Sequence, residues 1–109
     1  MTWSPATLAG RLGGDEDLVH ELVDLFLAEY PHLLQAIRAH VALGDAQGIR
    51  RSAHKLRGSV TNFIDDGPTA TAFALERAGA ESRLDTAPAL FGQLERELEA
   101  LAAAMRGAA

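Results

Sequence analysis

The sequence predicts an all-α protein: an antiparallel four-helix bundle with a short extra helix at its N-terminus. Three observations carry that prediction. Alanine, leucine, glutamate and arginine dominate the 109-residue chain, and all four favour helix. Apolar residues recur at spacings of three and four, and nothing alternates with period two over a useful length. The segments between the expected breaks are joined by short connections, as antiparallel helices crossing near 20° require.

The elements follow in order. Ser4-Pro5 opens a short helix, with serine as cap and proline at the first helical position; it carries Leu8 and Leu12 and stops at Gly13-Gly14. Asp15 caps the first long helix, about 15–43, with Glu16 and Asp17 in its first turn, where negative charge is favourable. Leu18, Val19, Leu22, Leu25, Phe26 and Tyr30 form its expected buried face. Pro31 lacks a backbone donor and restricts Tyr30, so a kink or restart is expected there. The helix continues through Leu33, Leu34, Ile37 and Val41 to a glycine stop at Gly44. Asp45 caps a helix over about 46–64, and Asp65-Asp66-Gly67-Pro68 breaks the chain. A thinly apolar helix follows at about 68–80, carrying Ala72, Phe73, Leu75 and Ala78; it is expected to be the least stable. The last helix, about 86–105, repeats Leu90, Leu94, Leu98, Leu101 and Met105, and Gly107 to Ala109 are expected to fray.

Composition bounds the function. The length fits one domain, 1–109, with a single modest core. Hydrophobic residues make up 48% and charged ones 23%, which is ordinary for a globular chain. The absence of cysteine excludes disulfides and zinc–thiolate sites. A net charge of −5 argues against nucleic acid as a partner. With neither a membrane-spanning apolar run nor a signal-peptide pattern, membrane insertion is not expected and the cytoplasm is the expected compartment.

The chemistry concentrates in Ser52-Ala53-His54-Lys55-Leu56-Arg57-Gly58-Ser59. At about 100° per residue, Ile49, Ala53, Leu56, Val60 and Phe63 share one stripe, and His54 points roughly 140° from its middle. His54 is therefore expected to be exposed. Arg50, Arg51, Arg57 and Thr61 lie around it, and no acidic residue occurs between Asp45 and Asp65. An exposed imidazole in a basic cluster suits an anionic partner. Gly58 lies one turn on; a mid-helix glycine costs about 0.8–1 kcal/mol against alanine, and here it clears room for a partner's backbone or aspartate. Ser52 and Ser59, at the margin of the stripe, read as close-packing positions.

His20, His32 and His40 read as exposed helix positions. Glu29-x-x-His32 has the spacing of a di-iron bundle ligand pair, but only one copy occurs and Pro31 interrupts it. Two other classes compete with chemistry centred on His54. One is a metal-dependent bundle enzyme; the other is a helical interaction module that only docks partner proteins.

Ala53-His54-Lys55-Leu56-Arg57-Gly58-Ser59 resembles the A-H-x-L-K-G-S signature of histidine-containing phosphotransfer (HPt) domains. Leu12-Gly13-Gly14-Asp15, Leu25-Phe26, Pro31 before Leu33-Leu34, Gly44-Asp45 and Leu75-Glu76 also stand where that family has similar residues, so the likeness spans roughly 8 to 103. Arg57 in place of lysine, Ile64-Asp65 in place of Gly-Ala and Pro68 in place of an apolar residue depart from it. The resemblance implies a phosphorelay intermediate in a multistep two-component system. His54 would accept a phosphoryl group from one receiver aspartate and donate it to another. Lys55 and Arg57, with Gly58 beside them, would lie nearest the phosphate, and Arg50 and Arg51 would serve docking. No resident metal or cofactor is implied, since the Mg²⁺ belongs to the receiver, and no ATP-binding motif is present. Expected partners are response-regulator receivers or a hybrid sensor kinase, met by a monomer. Met1 suits a free-standing carrier, and a terminal kinase domain would read alike. Leu18 or Phe26 would supply apolar docking surface beside the histidine.

Overall fold

In the computed structural model, residues 3–107 are described and form five helices with no strand among them. Helix α1 spans Pro5–Arg11, α2 Glu16–Leu43, α3 Ala46–Val60, α4 Pro68–Ala80 and α5 Ala87–Met105. Each of α2 to α5 packs on two others, α2 on α3, α3 on α4, α4 on α5 and α5 back on α2, which closes a four-helix bundle. Helix α1 lies against α2 at one end. The long axis of 43 Å is set by the 28 residues of α2, at about 1.5 Å each. The expected fraying at Ala108 and Ala109 falls outside the described residues.

Caps fix the helix starts. Ser4 accepts from the Thr7 N–H, Asp15 from that of Leu18 and Asp45 from that of Gly48. Gly44 follows α2 at φ 65°, a left-handed turn glycine takes without strain, and only Gly44 and Asp45 separate α2 from α3.

Helix α2 is continuous through the exposed Pro31, so the restart offered as one of two outcomes there does not occur. The buried row of α2 is Val19, Val23, Phe26, Tyr30, Leu33, Leu34 and Ile37. Leu18 and Leu22 sit half-buried on its flank, and Leu25 is 64% exposed. The 46–64 helix ends at Val60, where the Asn62 amide donates to the carbonyls of Gly58 and Ser59 and caps the frayed end. Phe63 and Ile64 still enter the core from the following turn; Phe63 packs 5.0 Å from Phe26 and 5.8 Å from Trp3, ring centre to ring centre. In α4 the inward row is Pro68, Thr71, Ala72, Leu75, Ala78 and Gly79, which turns Phe73 outward to 45% exposure. Pro68, a departure from the family pattern, is fully buried at the start of α4.

Helices α3 and α4 make the tightest seam. Gly79 lies so close to α3 that a Cβ there would sit 2.7 Å from both the Ala46 carbonyl oxygen and the Arg50 nitrogen. That close approach fixes the register of the two helices and decides which α4 side chains reach His54.

Candidate functional site

Ile49, Ala53, Leu56 and Val60 are fully buried, so the rest of α3 turns its other face to solvent. His54 stands on that face with its side chain 65% exposed, as the helical arithmetic expects. Lys55, Arg50 and Arg51 are exposed on the same helix, Arg50 held by the Gln47 side chain at 3.1 Å. Ser52 and Ser59 are half-buried at the margin, and the Ser52 hydroxyl donates to the Gly48 carbonyl at 2.7 Å. Gly58 has nothing within 4 Å of where a Cβ would stand, so packing does not demand glycine there.

The site also contains an acid that local sequence does not reveal. Glu76, on α4, reaches across the seam and is only 18% exposed. Its Oε1 accepts from Arg57 Nε at 2.8 Å, and its Oε2 lies 3.0 Å from His54 Nδ1. Partial burial alone would raise the Glu76 carboxyl; the hydrogen bonds from Arg57 and His54 outweigh it and hold the group below the usual carboxylate value of 4.5. Glu76 is thus an anion at neutral pH and accepts only, so Nδ1 supplies the proton of that contact. The remaining ring nitrogen, Nε2, then carries the lone pair, and it makes no hydrogen bond among the described residues.

The structure therefore divides the basic cluster. Arg57 is 32% exposed and committed inward, with its guanidinium 5.1 Å from the centre of the Phe73 ring and paired with Glu76. Its Nη2 lies 3.3 Å from Nδ1, the inner ring nitrogen. Lys55 and Arg51 make no ion pair among the described residues, and Arg50 bonds only the neutral Gln47 side chain, which leaves the charge of all three to meet an incoming anion. Of the two apolar docking residues expected on α2, Phe26 is core and Leu18 is half-buried; beside the site, Phe73 on α4 is an exposed aromatic, flanked by Arg57 and by Arg77 at 6.0 Å. The sequence signal for Glu76 was its match to the family at Leu75-Glu76; charge spacing around His54 gave none.

The other histidines lie elsewhere. His20 and His32 are exposed, whereas His40, expected in solvent, is half-buried with Nδ1 3.2 Å from Asp45 Oδ2. Glu29 is exposed like His32, and no three His, Cys, Asp or Glu among the described residues cluster to hold a metal. No helix of the described residues is long and apolar enough to cross a membrane.

Comparison with known proteins agrees with this geometry. The family model of the Hpt domain matches residues 21–104. Among solved structures, the chain is similar to histidine-containing phosphotransfer protein B from Pseudomonas aeruginosa PAO1. The TM-score is 0.87 at 28% identity, over 96% of this chain and 91% of that one. No curated protein sequence matches significantly. The chain belongs to the Hpt domain family, whose members are phosphotransfer carriers in two-component phosphorelays and not enzymes with their own ATP site.

Proposed function

From that membership we propose that His54 is the residue that carries the phosphoryl group. The observation that supports it is an exposed imidazole whose inner nitrogen is hydrogen-bonded to an ionised glutamate, which leaves the outer nitrogen as nucleophile. In the forward step the Nε2 lone pair attacks phosphorus of a receiver's aspartyl phosphate. The P–N bond forms, the P–O bond breaks, and the aspartate leaves as carboxylate. The ring keeps its Nδ1 proton, and the positive charge that develops on it is offset by Glu76, as a carboxylate supports an imidazolium in hydrolytic triads. Onward transfer runs the same bonds in reverse. Phosphoryl transfer asks mainly for in-line placement and charge stabilisation, so a small helical surface is sufficient.

Lys55 is the cation nearest the outer nitrogen in sequence and steadies the transferring phosphate, while Arg50 and Arg51 attract an acidic receiver face. Gly58 leaves the open space that lets that face approach. Arg57 contributes through Glu76. The Mg²⁺ that neutralises the phosphate is the receiver's, and this domain holds no cofactor of its own. The domain works as a cytoplasmic monomer between a donor receiver, such as that of a hybrid sensor kinase, and an acceptor response regulator.

The test is phosphoryl transfer from a labelled receiver. Wild type is expected to take up acid-labile phosphate and His54→Gln none. Label that persists in His54→Gln overturns the assignment, and an unlabelled wild type that still binds receivers leaves a docking module in its place.

A further inference from the structure

Helix α2 leaves one long face uncovered. Leu25, 64% exposed, and Leu43, 80% exposed, both stand on it. Ala28, Ala36 and Ala39, also exposed, lie between them, with exposed His32 near the middle. At about 100° per residue these positions fall within roughly 80° of arc, opposite the buried row of α2. The ridge reads alike from either end. Paired antiparallel with its own image, it sets Leu25 against Leu43, Ala28 against Ala39 and His32 against Ala36. The end leucines offer apolar area, and the alanines between them let two helix axes approach closely.

The charges beside the ridge fit the same pairing. His40 packs over Gly48, so these two mark the sides on which α2 and α3 face each other. Glu29, eleven residues before His40, returns to within about 20° of that side of α2. Lys55 and Arg51, seven and three residues beyond Gly48, lie within about 20° and 60° of that side of α3. All three are exposed. Counting back along the antiparallel helices from the Phe63–Phe26 contact, Arg51 stands level with Arg38 and Lys55 with Leu34. A twofold axis between two antiparallel α2 helices keeps the α3 of both copies on one side. Glu29 of each copy then comes level with Ala39 of the other, beside the other's Arg51 and within reach of its Lys55.

We infer that the outer ridge of α2 is a self-association surface whose occupant is a second copy of this chain, with Leu25 against Leu43 and Glu29 against Arg51 and Lys55 in each half. The contact is a single helix pair, at the small end of specific interfaces, so it is weak and reversible. It engages two of the cations that the proposed function gives to an incoming receiver. Pairing is therefore a resting form, and the working monomer is released when a receiver takes those cations. That consequence rests on the proposed function; the pairing itself does not.

The experiment is sedimentation equilibrium of the full chain, free of phosphate and receiver, up to about 1 mM, where weak contacts register. Wild type is expected to dimerise with rising concentration. Leu25→Glu/Leu43→Glu and Glu29→Arg are each expected to weaken pairing about tenfold or more, with an unchanged unfolding midpoint because the altered residues are exposed. Glu29→Arg/Arg51→Glu is expected to return to within about threefold of wild type, since the exchanged charges meet again. The chain has no cysteine, so introduced ones report the register. Ala28→Cys mixed with Ala39→Cys is expected to cross-link on oxidation, and neither alone, because like positions lie about 15 Å or more apart. A wild type that stays monomeric throughout overturns the inference, as do single-cysteine chains that cross-link as readily as the mixture, or a charge exchange that restores nothing. Ridge variants that lose receiver binding but pair as wild type overturn it too, and give the face to the receiver. An unphosphorylated receiver is expected to dissociate the pair; one that binds it intact overturns the resting role. None of these measurements uses label on His54, so their failure is distinct from label persisting in His54→Gln.

Discussion

The two ends of α3 are built from the same parts and do opposite things. Near its start, His40 of α2 lies 3.2 Å from Asp45 and packs over Gly48, and Gly79 brings α4 against the α3 backbone. A Cβ on Gly48 would stand 2.2 Å from His40 Nδ1, and one on Gly79 would meet backbone at 2.7 Å. Further along, His54 pairs with Glu76 at 3.0 Å, and Gly58 opens onto empty space. The first histidine–carboxylate pair is half-covered at a helix junction; the second leaves its ring out in solvent and keeps one nitrogen free. A glycine, a histidine or a carboxylate thus has no fixed role in this chain. What the neighbouring helix covers decides it.

The largest effect expected from breaking this contrast is at Gly79. Gly79→Ala places a methyl against immovable backbone, so α3 and α4 must separate, at a cost of about 1–3 kcal/mol; the midpoint of urea unfolding measures it. An unchanged midpoint would mean that the seam yields. Gly58→Gln tests the opposite end. Its side chain has room in the fold but stands where a receiver must approach, so the unfolding midpoint is expected to hold while transfer slows about tenfold, or 1.4 kcal/mol of barrier.

Acid distinguishes the two carboxylates by readout. Both are depressed: Asp45 chiefly by the Gly48 N–H, and Glu76 by Arg57 and His54 against partial burial. A depressed carboxyl contributes stability that is present above its unfolded value and lost as pH falls through the folded one. For Asp45 that loss begins below the ordinary 3.8, so Asp45→Asn is expected to flatten the fall of the unfolding midpoint there. For Glu76 it begins below 4.5, and the Nδ1 proton's partner is lost with it. The smallest effect is Gly58→Ala, which is expected to raise stability by up to about 0.8–1 kcal/mol, as helix propensity dictates. The same change at Gly79 lowers it.

Much of the site could be read along α3 alone. The four apolar positions Ile49, Ala53, Leu56 and Val60 fix which way His54, Lys55, Arg50 and Arg51 point, because one helix has one periodicity. That same logic misjudges α2, where apolar residues are plentiful enough to draw a stripe in more than one direction: Leu25, expected inward, lies outward, while Val23 takes a buried position. In the thinly apolar α4 it draws no stripe, and Phe73 lies outward while Thr71 is buried. Glu76 escaped charge-spacing arguments since it stands 22 residues from His54.

By itself, then, the sequence determined the all-helical class, the caps and breaks, and the exposure of His54, all consequences of short-range backbone geometry. The tertiary structure alone decided that Arg57 turns to Glu76, that Gly79 and not Gly58 is the packing glycine, and which nitrogen of the ring is free. Those depend on the register of α3 against α4. A shift of one residue along α4 turns its side chains by about 100° and would carry Glu76 off the seam.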